Sequence, residues 1–194
     1  MKKTNTLRLT QLALLVAILI VMAYTPLGYF RTPGLEISFL MIPVTVGAIL
    51  LGPSAGAVLG LIFGLTSFGT CFGSSAFGTT LLGISFTKTF IVCVVTRTLV
   101  GWLAGVIYKA ISKTKFGIPA ASLISPLLNT LFFTGSLVIF FYNTEYIQSF
   151  ASVLGATNPF SFIVLFVGLQ GLIEAVVCFI ISTVICKAVA KFIK

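Results

Sequence analysis

The sequence predicts an all-α integral membrane protein, a compact bundle of six transmembrane helices with both termini in the cytoplasm, and three observations carry that prediction. Of the 194 residues, 58% are hydrophobic and only 8% charged, whereas soluble domains run near a quarter charged. At roughly 20 residues per bilayer crossing plus short connections, the length accommodates about six helices and no separate soluble domain, so residues 1–194 read as a single membrane domain. The basic residues cluster at the ends of apolar runs, where cationic anchors and topology signals belong.

The first apolar run, 7–24, closes at Thr25-Pro26-Leu27-Gly28, a turn signal. It is long and is followed by further apolar runs, so it reads as a retained helix and not as a cleaved leader. A polar patch with Arg31, Pro33, Gly34 and Glu36 leads into a second helix, 37–51, which stops at Gly52-Pro53-Ser54; a third, 54–68, follows at once. Both are short for a bilayer, which implies tilt or cover by neighbouring protein. Residues 69–83 are rich in Gly, Ser and Thr yet carry Cys71, Phe72 and Phe77. That stretch is too apolar for a free loop and too glycine-rich for a regular helix, and it reads as a folded-in lid or re-entrant loop. The fourth helix, 86–111, is broken by one charge, Arg97. After Ser112-Lys113-Thr114-Lys115 come a fifth helix, 118–142, a loop, 143–159, and a sixth helix, 160–190.

Orientation follows from the Lys/Arg bias of short loops. With the N-terminus inside, Lys2, Lys3, Arg8, Lys109, Lys113, Lys115, Lys187, Lys191 and Lys194 are cytoplasmic, Arg31 and Lys88 lie outside, and Arg97 is within the membrane. The net charge of +9 is thereby a topology signal, and nucleic-acid binding is discarded. With three Glu, no Asp and no His, and no Walker, HExxH, CxxC or GxSxG motif, the chain has no recognisable enzymatic device, metal site or cofactor. Any energy for work must come from a gradient or a partner. Cys71, Cys93, Cys178 and Cys186 read as packing residues. No repeat supports a carrier built from two inverted halves.

Ionisable residues inside a membrane are costly and are functional candidates. Arg97 and Glu174 lie about midway along the fourth and sixth helices, at comparable depth. Two readings are open: a structural ion pair locking two helices, or a site in which Arg97 holds an anionic substrate, its planar fork suiting a carboxylate. Asn129, midway along the fifth helix, joins them, and Phe133 and Gln170 lie one turn outward from Asn129 and Glu174 on the same faces. Together they describe an apolar, aromatic pocket with a few convergent polar groups. Lys88 and Arg31 at the outer surface either attract an anionic solute or act as interface anchors. Ala13 and Ala17, four apart, would let another helix approach closely, whether from a partner or from the same bundle.

The Ala13-Leu14-Leu15-Val16-Ala17 pattern, and the segment from Ile37-Ser38-Phe39-Leu40-Met41-Ile42-Pro43-Val44 through Gly47-Ala48-Ile49-Leu50-Leu51-Gly52-Pro53-Ser54-Ala55-Gly56-Ala57, resemble the S components of energy-coupling factor (ECF) vitamin transporters over nearly the whole chain. The resemblance implies a substrate-binding subunit of the cell membrane that captures a vitamin from outside and docks on a transmembrane coupling protein bearing two ATPases. Ala13 and Ala17 match the motif that faces the coupling protein, and loops 28–36 and 69–83 match those that cover the substrate. The 52–56 turn departs from relatives in lacking a basic residue. Thr96-Arg97-Thr98-Leu99-Val100-Gly101, Asn129-Thr130-Leu131-Phe132-Phe133-Thr134-Gly135 and Gly171-Leu172-Ile173-Glu174-Ala175 look most like the pantothenate-type members, with cobalamin and riboflavin as alternatives. Two other readings stand beside it. A secondary carrier would need Glu174 as its coupling group; a non-transporting scaffold would need no enclosed site.

Overall fold

The computed structural model describes residues 2–31 and 36–193; Pro33, Gly34 and Lys194 fall outside the described residues, as do the side chains of Arg31 and Glu36. In chain order the elements are α1 (Lys2–Ala23), β1 (Tyr29–Arg31), β2 (Glu36–Ser38), α2 (Met41–Leu51), α3 (Pro53–Thr70), α4 (Ala76–Ile84), α5 (Phe86–Phe90), a π-helical turn (Ile91–Val95), α6 (Thr96–Ile111), α7 (Gly117–Phe141), α8 (Glu145–Val153) and α9 (Pro159–Ile193). Among the described residues, five helical stretches are long and apolar enough to cross a membrane by length and composition: 6–23, 53–70, 86–111, 117–141 and 170–191.

The expected second helix is the exception to the six-span count. It has 11 residues, which at 1.5 Å per residue reach about 16 Å, roughly half of the hydrocarbon core. Every residue from Met41 to Ile49 is buried, so α2 is enclosed by its neighbours. Leu40, Met41, Val44, Leu59, Phe63 and Val100 belong to the core around it. It also starts four residues later than the sequence suggests. Residues 37 and 38, expected in that helix, pair instead with Glu36 in an antiparallel hairpin with 29–31, in the register Tyr29↔Ser38, Phe30↔Ile37 and Arg31↔Glu36. Gly28 closes the base of the hairpin, its carbonyl accepting from Phe39 N–H at 2.9 Å. A Cβ on Gly28 would collide with the Met22 carbonyl oxygen, so only glycine lets the hairpin fold back on α1.

Two stretches read as loops contain helices. Within 69–83, Ser75 caps α4, its hydroxyl accepting from Gly78 N–H at 3.3 Å, and Thr144 opens α8 within 143–159. A hydroxyl at the N-cap satisfies one of the free donors of a first helical turn. Glycine frequency hid the first of these helices: Gly78 is required because a Cβ there would sit 2.7 Å from Cys71 Sγ.

Helices α3 and α6 meet at backbone distance. Gly56, Gly60 and Gly64 repeat every fourth residue, and small residues at that spacing permit such contact. Side chains at Gly56 and Gly60 would overlap the carbonyl oxygens of Gly101 and Arg97, and one at Gly64 would come within 2.7 Å of Val94 Cα. At the far end of the same pair, Gly105 packs on Pro53. Arg8 reaches across from α1 to donate Nη2 to the Leu51 carbonyl at 2.6 Å and to Ser54 Oγ at 3.2 Å. A basic residue absent from the 52–56 turn is thus supplied from α1, capping the free carbonyls at the C-terminus of α2.

Candidate functional site

A cavity of about 740 Å³ opens in the half of the bundle that holds the hairpin, α4 and α8. Its size lies within the roughly 300–1,000 Å³ of small-molecule sites. Of the candidates from the sequence, Arg97, Asn129, Phe133, Gln170 and Glu174 all line it. Lys88 does not: its side chain is exposed and its Nζ lies 3.5 Å from the Phe140 carbonyl oxygen.

Arg97 is set by the two features of its span. The glycine contact with α3 fixes its backbone, and the widened π-helical turn just before it presents carbonyls to its side chain. Nη1 donates to the carbonyls of Cys93 at 3.1 Å and Val92 at 3.3 Å. The guanidinium lies over the Phe63 ring at 4.6 Å and the Phe133 ring at 5.0 Å, where a cation gains from the ring quadrupoles. It is 8% exposed, and its buried Nε has no hydrogen-bond partner among the described residues.

Glu174 is not that partner. Of the two open readings, the close Arg97–Glu174 contact is not formed; the carboxylate is turned to other donors, Oε1 accepting from Asn129 Nδ2 at 3.1 Å and Oε2 from the backbone N–H of Ser38 at 3.4 Å. One acidic side chain thereby joins α9, α7 and the hairpin. This leaves a buried guanidinium facing the cavity with no carboxylate within ion-pair distance among the described residues. Buried charges are ordinarily paired, and here Glu174 acts on the guanidinium only at longer range.

The rest of the wall is apolar and aromatic. Phe77 of α4 packs on Tyr146 of α8 and Phe166 of α9, each at 5.8 Å between centroids, and Phe150 packs on Phe166 at 5.7 Å. Ser38, Phe77, Tyr146 and Phe150 line the cavity and were not among the sequence candidates. The i, i+4 spacing of Tyr146 with Phe150 was the available signal. Cys71 and Cys93, expected as packing residues, are buried, the Cys71 thiol donating to the Ser67 carbonyl at 3.6 Å, and both also line the cavity. Away from the site, Ala13 and Ala17 lie on the exposed face of α1, so neither packs inside the bundle.

No curated protein matches the chain. A family model described as the ECF transporter substrate-specific component matches residues 7–186. Such components are not enzymes; they bind a small-molecule substrate and work with an ATPase-containing coupling module in the membrane. With nearly its whole length covered, and with helices suited to repeated membrane crossing, this multi-pass membrane protein belongs to the ECF transporter substrate-specific component family.

Proposed function

We propose that the chain captures pantothenate from the outer side of the cell membrane and delivers it through a coupling protein bearing two ATPases. The observation that carries the choice of substrate is Arg97: a buried cation on the cavity wall, bonded among the described residues to carbonyls of its own helix and with Nε unpartnered there. A vitamin carboxylate would complete it. The polar groups of Asn129, Gln170 and Glu174 and the ring of Phe133 serve the remainder of the ligand. The cavity volume of about 740 Å³ favours a compact vitamin over a corrinoid, and a flavin ring would leave Arg97 without an anion.

In this reading residues 1–194 form one membrane domain with α2 as a sixth, enclosed helix and both termini cytoplasmic. The contacts of Arg8 with Leu51 and of Gly105 with Pro53 support it, since they gather the basic ends of α1 and α6 at the end of the bundle opposite the cavity. Ala13 and Ala17, exposed on α1, offer the close-approach surface for the coupling protein. Mass spectrometry of the small molecule that co-purifies with detergent-solubilised protein tests the substrate. Pantothenate is the expected result; a flavin or corrinoid in its place contradicts it.

A further inference from the structure

Ser38 sits at the base of the hairpin, opposite Tyr29. Its backbone N–H is committed to Glu174 Oε2 at 3.4 Å. Its side chain is not committed among the described residues: the residue is 5% exposed, and its buried Oγ has no hydrogen-bond partner there. Ser122 and Ser182 also hold unpartnered buried hydroxyls, but neither residue lines the cavity, whereas Ser38 does. Buried polar groups are almost always satisfied, and a hydroxyl on the wall of a binding cavity can be satisfied by what binds there.

Asn129 stands on the other side of the same carboxylate, its Nδ2 donating to Glu174 Oε1 at 3.1 Å. Glu174 thus holds two groups in place from opposite elements, one from the hairpin and one from α7. The amide keeps its oxygen and a second N–H for other partners, and the serine keeps its hydroxyl. These groups are neutral and can both donate and accept, which suits an alcohol or an amide and not a second charge.

We propose that Ser38 Oγ is a specificity-determining contact, bonding an uncharged hydroxyl of the substrate away from the carboxylate held by Arg97, with Glu174 as the positioning residue that fixes Ser38 and Asn129. The inference rests on the anionic-substrate reading above and extends it to the neutral part of the ligand. It also makes the hairpin a part of the recognition surface, so that the ligand ties the hairpin to the helices it covers.

The test is titration calorimetry on the detergent-solubilised full chain with four probes: pantothenate, its two monodeoxy analogues, each lacking one hydroxyl, and the neutral alcohol in which the carboxylate is reduced. The S38A variant keeps the backbone bond to Glu174 and removes only the hydroxyl. It should weaken pantothenate binding by about fivefold to tenfold, the worth of one neutral hydrogen bond, and should leave binding of one monodeoxy analogue unchanged within about twofold of the wild type. S38C, which keeps the size of the side chain but makes a poor donor, should show the same selectivity. Equal losses for all four probes in both variants would overturn the proposal and make Ser38 a structural residue of the hairpin. R97M reads the other contact separately: if it and the wild type bind pantothenate equally, the anionic-substrate reading fails while the Ser38 result still stands or falls by its own analogue. Failure of wild-type protein to bind pantothenate overturns both.

Discussion

Replacing Arg97 by Met removes a buried cation whose own contacts are two carbonyls and two aromatic rings. Because Glu174 keeps its bonds to Asn129 and Ser38 and loses only the longer-range attraction of the guanidinium, the variant should unfold within about 1 kcal/mol of the wild type. Its affinity for pantothenate should fall by about 1.5–3 kcal/mol, the worth of a charge-assisted hydrogen bond. Thermal unfolding and calorimetry on the same preparation check both. Asn129→Leu acts in the opposite sense: it deprives a buried carboxylate of its side-chain donor and should cost about 1–3 kcal/mol in thermal stability even without ligand. Arg97, Asn129 and Glu174 were legible as candidates because ionisable and amide groups are expensive in a membrane interior. Their partners were not, since the geometry that separates Arg97 from Glu174 depends on where the hairpin delivers the Ser38 amide. Ser38 itself was one serine among many until the cavity gave it a place.

At the scale of elements, the long helices were legible from apolar length alone, and the errors fall where local chemistry overrides it. Residues 37 and 38 open the apolar run read as a helix, yet with Glu36 they pair with 29–31. Residues 76–84 carry helix-breaking glycines, yet Ser75 caps them and Gly78 is needed for contact with Cys71. The glycines at 56, 60 and 64, which apolar length alone does not single out, mark a seam where two helices meet at backbone distance. Gly60→Val should force α3 away from the Arg97 backbone, lowering stability by about 1–3 kcal/mol and weakening ligand binding with it. Gly135, inside α7 with nothing within 4 Å of an added Cβ, is the contrast. Gly135→Ala should raise stability by about 0.5–1 kcal/mol, and thermal unfolding of the two variants side by side distinguishes a packing glycine from a merely flexible one.

For the whole molecule, the proposed orientation predicts that cysteine probes at Ser112 label only from the cytoplasm and probes at Asn143 only from outside, in a variant freed of its native cysteines. Outside labelling at Ser112 would reverse or break the helix count. The exposed position of Ala13 and Ala17 predicts that Ala17→Phe abolishes assembly with the coupling module, read by co-purification, while the solitary subunit still binds its ligand. Loss of ligand binding in the isolated variant would place these alanines in the protein's own packing. The central claim, that a buried Arg97 with no carboxylate within ion-pair distance among the described residues receives the carboxylate of a vitamin, is tested most directly by titrating the wild-type, detergent-solubilised chain with pantothenate and with its neutral alcohol counterpart. Saturable binding of pantothenate and at least about tenfold weaker binding of the alcohol, corresponding to about 1.4 kcal/mol, is the predicted result; equal affinity for the two, or no binding of pantothenate, would contradict it.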